Sequence, residues 1–110
     1  MAAKFVLKKS KDQFMFNLKA GNGEIILTSE RYKAKASAKN GIESVRKNSQ
    51  DDDRFERKES SNGKSYFILK AMNNEPIGKS EMYNSKSGME NGIKSVKENA
   101  PTAEVEDLTV

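Results

Sequence analysis

Read for the spacing of its apolar residues, the chain changes period in a fixed order, and does so twice. Near the N-terminus Phe5 and Leu7 alternate with polar neighbours, then Phe14, Phe16 and Leu18 alternate over a longer run, and Glu24–Thr28 supplies Ile-Ile-Leu after an Asn22-Gly23 turn. Period two places every apolar residue of a run on one side, so the three runs predict three strands with one buried face. Past Tyr32 the spacing switches: Ala38, Ile42 and Val45 lie four and then three apart, the stripe of an amphipathic helix resting on a sheet. The order then repeats. Phe55, then Phe67 with Leu69, then Ile77 predict three more strands, and after Tyr83 the residues Met89, Ile93 and Val96 predict a second helix. In the second set Ser61-Asn62-Gly63-Lys64 predicts a hairpin, Asn-Gly supplying the positive φ of a type I′ turn. Pro76 opens the sixth run, where its missing N–H suits a strand end or edge. Pro101 ends the second helix, and Glu104–Val110 alternates well enough to form a short closing strand, whose place after the first helix is held by residues 51–59.

The recurrence is a duplication. Laid over Ser65–Asn99 at a constant offset of 51 residues, Phe14–Asn48 is identical at 17 of 35 positions without a gap. Upstream, Lys4-Phe5 matches Arg54-Phe55 at an offset of 50, so the first hairpin loop is one residue longer in the second copy. A unit of about 50 residues leaves too much apolar surface wet to stand alone, so the copies must share a core. The economical solution pairs their edge strands into one mainly antiparallel sheet with both helices on one face and a pseudo-twofold axis between them. The chain is therefore expected to be a single α+β domain over residues 1–110, built of repeat one, about 4–53, and repeat two, about 54–110. It is read as a monomer containing an internal pseudo-dimer, with residues 104–110 as an exchanged or closing strand. Asn48 and Asn99 stand where helix C-caps are expected, and Ser85 or Ser87 is available to cap the second helix, while the first offers only Ala34 or Ala36. Gly41 and Gly92 lie inside the helices, where Gly costs about 1 kcal/mol against Ala, which points to a close approach of helix to sheet or helix to helix.

The repeated string Phe-x-Leu-Lys-Ala, Asn-x-x-Glu-x-Ile, Ser-Glu-x-Tyr and Asn-Gly-Ile-x-Ser-Val-x-x-Asn resembles the YegP-like family of small uncharacterised bacterial proteins. Residues 14–20, 22–32 and 40–48 carry it in the first copy and 65–71, 73–83 and 91–99 in the second. The resemblance implies tandem or dimeric β-β-β-α units joined in one sheet, often with a terminal strand exchanged between units, and it implies no activity. This chain departs from a strict repeat at Gly21-Asn22-Gly23 against Met72-Asn73-Asn74, and at Pro76 and Gly78.

Composition narrows the chemistry sharply. With no Cys and no His, disulfides, thiolate and imidazole metal sites, the commonest general base and any Ser-His or Cys-His pair are excluded. No apolar run approaches the roughly 20 residues of a membrane-spanning helix, and Lys4 interrupts the N-terminus before a signal-peptide core can form, so a cytoplasmic protein is the default reading. Charge is uneven: residues 1–50 hold eleven Lys/Arg against four Asp/Glu (11 − 4 = +7) and residues 51–110 nine against twelve (9 − 12 = −3), which sums to the net +4.

Candidate functional residues are few. Ser29-Glu30-x-Tyr32 and Ser80-Glu81-x-Tyr83 bring a hydroxyl, a carboxylate and a phenol to a strand-to-helix junction twice, and could form a polar ligand surface. The preferred reading is structural, with Ser or Glu satisfying free helix N–H groups and Tyr covering the sheet edge. Asn40 with Ser44 and Asn91 with Ser95 are read as structural hydrogen bonds, and Lys19 with Glu24 and Lys70 with Glu75 as weak cross-strand pairs. Asp51-Asp52-Asp53 lacks the spacing of a calcium loop and reads as a solvated linker. No catalytic, cofactor or metal residue is assigned. The function read from sequence is a non-catalytic interaction or binding module with an unidentified partner, a protein in the first instance. The alternative is weak, sequence-independent nucleic-acid binding by the basic first copy, through Lys4, Lys8, Lys9 and Lys11 around its first hairpin and Lys33, Lys35 and Lys39 on its helix.

Overall fold

The alternating runs become strands because each lines up its apolar side chains on one side of a pleated ribbon. In the computed structural model, which describes residues 2–110, they are β1 (Lys4–Ser10), β2 (Gln13–Lys19), β3 (Ile25–Ser29), β4 (Phe55–Glu59), β5 (Ser65–Lys70), β6 (Pro76–Lys79) and β7 (Glu104–Asp107), with α1 (Lys35–Asn48) after β3 and α2 (Lys86–Asn99) after β6. One sheet holds all seven in the order β4-β5-β6-β3-β2-β1-β7. Every neighbouring pair is antiparallel except β7 with β1. The architecture is thus the expected α+β arrangement, two β-β-β-α units joined through their third strands.

That seam is short. Thr28 faces Lys79, Ser29 faces Gly78, and the Glu30 N–H donates to the Ile77 carbonyl at 3.0 Å. Gly78 is the counterpart of Leu27, and a Cβ on it would sit 2.9 Å from the Thr28 carbonyl oxygen and 3.0 Å from Leu27 Cγ. The repeat departs there because both copies cannot place a leucine at the seam; Leu27, fully buried, takes the space.

The helix stripes close the core from one side. Ala38, Ile42 and Val45 of α1 and Met89, Ile93 and Val96 of α2 join Phe5, Leu7, Phe16, Leu18, Phe67 and Leu69 in a single buried cluster. Edge-to-face pairs recur in both halves, Phe5 with Phe16 at 5.9 Å and Phe55 with Phe67 at 5.5 Å between ring centres. Helix α1 packs on β2 and also on β5 and β6, and α2 packs on β5 and β3, so each helix covers strands of both repeats.

Several local expectations are corrected. At Ser61–Lys64 only Gly63 has positive φ (81°), the Gly63 N–H donates to the Ser60 carbonyl, and the Ser60 N–H donates to the Lys64 carbonyl, which is a type I turn with a glycine bulge rather than type I′. The turns after β2 and β5 repeat the device with Gly23 at φ 85° and Asn74 at φ 68°. Ser85, not Ser87, caps α2, its hydroxyl accepting the Gly88 N–H at 3.0 Å, whereas Ala34 leaves α1 without a side-chain cap. Asn48 and Asn99 are the last helical residues rather than the caps. Each donates its amide back one turn, to the carbonyl and hydroxyl of Ser44 or Ser95, so the recurring Ser–Asn bond excludes the exposed Asn40 and Asn91. Among the described residues Lys19 and Glu24 form no ion pair, and Lys70 turns to Glu56 at 3.2 Å instead of Glu75, because Glu56, opposite Ile68, is its diagonal neighbour on β4. Asp51–Asp53 is more than a linker: Asp51 caps a short 3-10 turn over Asp52–Arg54, and Asp52 binds Arg57 and Lys97. That turn leads straight into β4, so among the described residues no separate strand stands between α1 and β4. The closing strand β7 crosses to lie beside β1 of the other repeat, which settles it as exchanged.

Candidate functional site

The Ser-Glu-x-Tyr elements are held by their own backbone. Ser29, at the end of β3, is buried; its hydroxyl accepts the Phe16 N–H at 2.8 Å and donates to the Glu30 carbonyl at 2.7 Å. Ser80 makes the same two bonds, accepting from Phe67 at 3.0 Å and donating to Glu81 at 2.8 Å. Both serines therefore bracket adjacent strands where the ladder ends. Tyr32 and Tyr83 exchange main-chain bonds with Phe14 and Ser65. Their rings do not cover the sheet edge. Each lies against the following helix, so close that a Cβ on Gly41 would stand 2.6 Å from the Tyr32 hydroxyl and one on Gly92 2.3 Å from that of Tyr83. The helix glycines thus answer a close approach, and the element approached is the tyrosine. Half-burial raises both phenols above their ordinary pKa, with a smaller push from Glu30 on Tyr32 and from Glu81 and then Glu24 on Tyr83, so both stay protonated at neutral pH.

Glu30 and Tyr32 line a shallow concavity of about 480 Å³ whose far wall is the β5–β6 turn of the other repeat, Asn73, Glu75 and Pro76. Glu24 standing near Tyr83 is the counterpart of that meeting in the opposite half. Glu30 and Tyr32 are therefore brought to the boundary between repeats, where the walls of the concavity carry carboxylates and amides and no basic group. Among the described residues no cluster of carboxylates meets the requirement for a metal site.

The candidate phosphate-binding lysines are not gathered into one surface. Lys35 is paired with Asp107 at 2.6 Å, and Lys39 borders a concavity beside Val105 and Asp107. Lys33 lies ahead of α1 rather than on it, and with Lys11 it stands near Asp12 at the β1–β2 hairpin, while Lys9 stacks over the Phe14 ring at 5.7 Å. Lys4 and Lys8 point to the other side of the sheet, the side without helices. Register defines that face: Glu56, Ile68, Lys79, Thr28, Asn17, Val6 and Glu106 form one row across all seven strands. The flanking rows, two residues away on each strand, add Lys58 beside Tyr66, Lys8 beside Met15, Lys70, and Lys4 beside Lys19. Six lysines, three from each repeat, share the face. Lys4 pairs with Glu106, and Lys58 and Lys70 with Glu56, while Lys8, Lys19 and Lys79 have no carboxylate partner among the described residues. Lys79 stands over the Tyr66 ring at 5.6 Å. Reading charge by halves of the chain missed Lys58, Lys70 and Lys79, whose half is net acidic; their position off the apolar phase of Phe55, Phe67 and Leu69 was the available signal.

These features define a class, a duplicated α+β protein whose single sheet is covered by helices on one side and open on the other. The chain belongs to the family described as Domain of unknown function (DUF1508), whose model matches twice, at residues 9–56 and 60–107. It is similar to UPF0339 protein PA0329 of Pseudomonas aeruginosa, 60% identical over 97% of this chain and 98% of that protein. It is 56% identical to UPF0339 protein YegP of Escherichia coli O157:H7, over 99% of this chain and 100% of that one. The solution NMR structure of the protein of unknown function yegP from E. coli superposes with a TM-score of 0.92 at 55% identity, covering 98% of this chain and 94% of that chain. The structure of UPF0339 protein SO3888 from Shewanella oneidensis superposes equally well at 51% identity, over 98% and 92%. The resemblance read from the repeated motif holds across the full length. The relatives' names assign no function, and no helix among the described residues is long and apolar enough to cross a membrane.

Proposed function

We propose that this protein is a non-catalytic, monomeric, cytoplasmic interaction module, one domain over residues 1–110 with repeat one at about 4–53 and repeat two at about 54–110, which docks an anionic partner protein on the helix-free face of its sheet. One contrast carries the reading. The duplicated serines, Ser29 and Ser80, are committed to bonds inside the fold, while among the described residues Lys8, Lys19 and Lys79 on the open face have no carboxylate partner. Photo-crosslinking residues placed at Lys8 and Lys79 in bacterial cells should give partner adducts that are absent when the same residue replaces Lys94 on the exposed side of α2. Equal labelling at all three positions overturns the reading.

The second reading, nucleic-acid binding, is favoured by the Lys79–Tyr66 contact and by lysines from both repeats on one face, since aromatic rings interleaved with cations suit single strands. Against it, Glu56 and Glu106 interrupt the positive field. Titration with polynucleotide at about 50 and 200 mM salt separates the two: phosphate contacts impose a steep log-log slope. Little binding at either salt is expected. Tight binding with a slope of several charges, abolished by Lys8→Glu with Lys9→Glu and Lys11→Glu or by Lys79→Glu, replaces the first reading by the second.

A further inference from the structure

The two ends of the sheet are related by the internal symmetry but treated differently. Beside β1 lies β7, parallel, with Lys4 opposite Glu104 and Leu7 opposite Asp107, and the Leu108 N–H donates to the Leu7 carbonyl at 2.9 Å. Two of its three acidic side chains are received by cations: Glu106 by Lys4 at 3.3 Å and Asp107 by Lys35, the first residue of α1, at 2.6 Å. At the opposite end β4 pairs with β5 alone, because the segment that would play the part of β7 is the linker running into β4 itself. Its outer main-chain groups are left open, Arg57 holding the position of Leu7. The first residue of α2, Lys86, is the counterpart of Lys35; it is exposed and pairs with no carboxylate among the described residues. With Arg57, Lys58, Ser65, Met89 and the carboxylates Glu59 and Glu90 it borders a concavity of about 300 Å³, at the position related by the internal symmetry to that of Asp107.

We infer that the β4 edge is a second binding site, which takes an extended acidic segment of a partner protein as an eighth strand, parallel to β4, with one carboxylate seated on Lys86. It uses the sheet edge rather than the open face and stands apart from the function proposed above. Strand addition draws affinity from main-chain pairing and specificity from alternate side chains. Charge at this edge selects the guest. Arg57 is held by Glu90 at 2.5 and 3.0 Å and by Asp52 at 3.1 Å, and Asp52 also binds Lys97 at 2.5 Å, so this network is balanced. Lys58 leans to Glu56, which leaves Lys86 as the cation without a carboxylate partner among the described residues; Glu59, at the far end of β4, is the one carboxylate there in no ion pair, and it disfavours a guest acid at its own end of the strand. Four of the five β4 residues are charged, a composition that discourages pairing with an identical edge and leaves the main chain available to an acidic strand.

The test uses the full chain, labelled with 15N, and a synthetic peptide of the sequence PTAEVEDLTV, which reproduces residues 101–110 and so carries the chemistry that β1 accepts. Amide shifts are expected at Phe55–Glu59 and Lys86. Affinity should fall at least tenfold with Lys86→Glu, with a peptide in which the acids at the positions of Glu106 and Asp107 are replaced by lysine, and with a peptide N-methylated at alternate backbone positions; Lys86→Arg should bind as the parent. Unchanged shifts of Phe16 and Leu18 in each variant show that the fold is kept. No shift up to millimolar peptide, shifts confined to β1 or to the open-face lysines, or equal binding of a scrambled peptide overturns the inference. Dimers by sedimentation that vanish on deleting residues 104–110 would make the occupant a second copy, and likewise overturn it.

Discussion

Each junction tyrosine is matched to one glycine on the helix that follows, and the pair sets how near helix and strand end approach. At Gly41 the missing Cβ would meet the Tyr32 hydroxyl at 2.6 Å and the Phe16 ring at 3.0 Å. Alanine in a helix is otherwise favoured by about 1 kcal/mol. Gly41→Ala should therefore gain less than that in the parent chain and more in a Tyr32→Phe background, a coupling of about 0.5 kcal/mol or more in a double-mutant cycle of denaturant melts. Gly41→Leu should cost more than about 1 kcal/mol, as overpacking does. Stabilisation by both single substitutions would show that the position faces open space. Ser29→Ala and Ser80→Ala are expected to cost about 1–3 kcal/mol each, because each strands a buried N–H and a carbonyl. Melts within 0.5 kcal/mol of the parent would return these serines to the surface role first weighed for them.

The sheet's two end strands depend on carboxylates. The Lys35 ammonium, followed by hydrogen bonds from the Thr109 hydroxyl and N–H, holds Asp107 of β7 well below the usual carboxylate range. Beside β4, Lys97 and then Arg57 lower Asp52, and Arg57 lowers Glu90. A carboxyl whose pKa is depressed by folding contributes stability that is complete above its unfolded value, about 4, and lost as pH falls through the folded one. Acidification below about pH 4 should therefore loosen β7 and β4 before the central strands. The Leu108 amide, bonded to Leu7, is the reporter for β7: its shift should move toward the random-coil value while those of Phe16 and Leu18 hold. Asp107→Asn should leave β7 loose at neutral pH. Concerted movement of all these amides would mean that the edges are not separately held. The turns make the limits of local reading plain. Asn62-Gly63 marked the hairpin correctly, yet its type follows from the five residues between β4 and β5, which accommodate a bulge.

For the whole molecule, the placement of α1 over β5 and β6 and of α2 over β3 means that removing one repeat strips the cover from the other. Residues 1–52 alone should be unfolded, or should form a homodimer that imitates the internal symmetry, and the full chain should unfold in one transition. A well-dispersed monomeric half by NMR and sedimentation would contradict both. The candidate lysines belong to this scale as well. As a run they looked like a basic half; in the sheet, the strands of the two repeats abut at the seam, and lysines from the acidic half join them on the open face.

Period two, period 3.6 and the 51-residue offset by themselves determined the strands, the helices and the need for a shared core, because burial on one face is a local, periodic demand that every residue of an element obeys. Gly41 and Gly92 announced a close contact for the same reason, as the wrong residues for a helix interior unless something lies against them. What lay against them, the tyrosines, was decided only in three dimensions. So were the crossing of β7 to β1, the open edge left at β4 and the choice of Glu56 over Glu75 by Lys70. Each depends on which strands become neighbours, and strand neighbours are set by the pairing of the two repeats, a contact between residues far apart in the chain that no local period records.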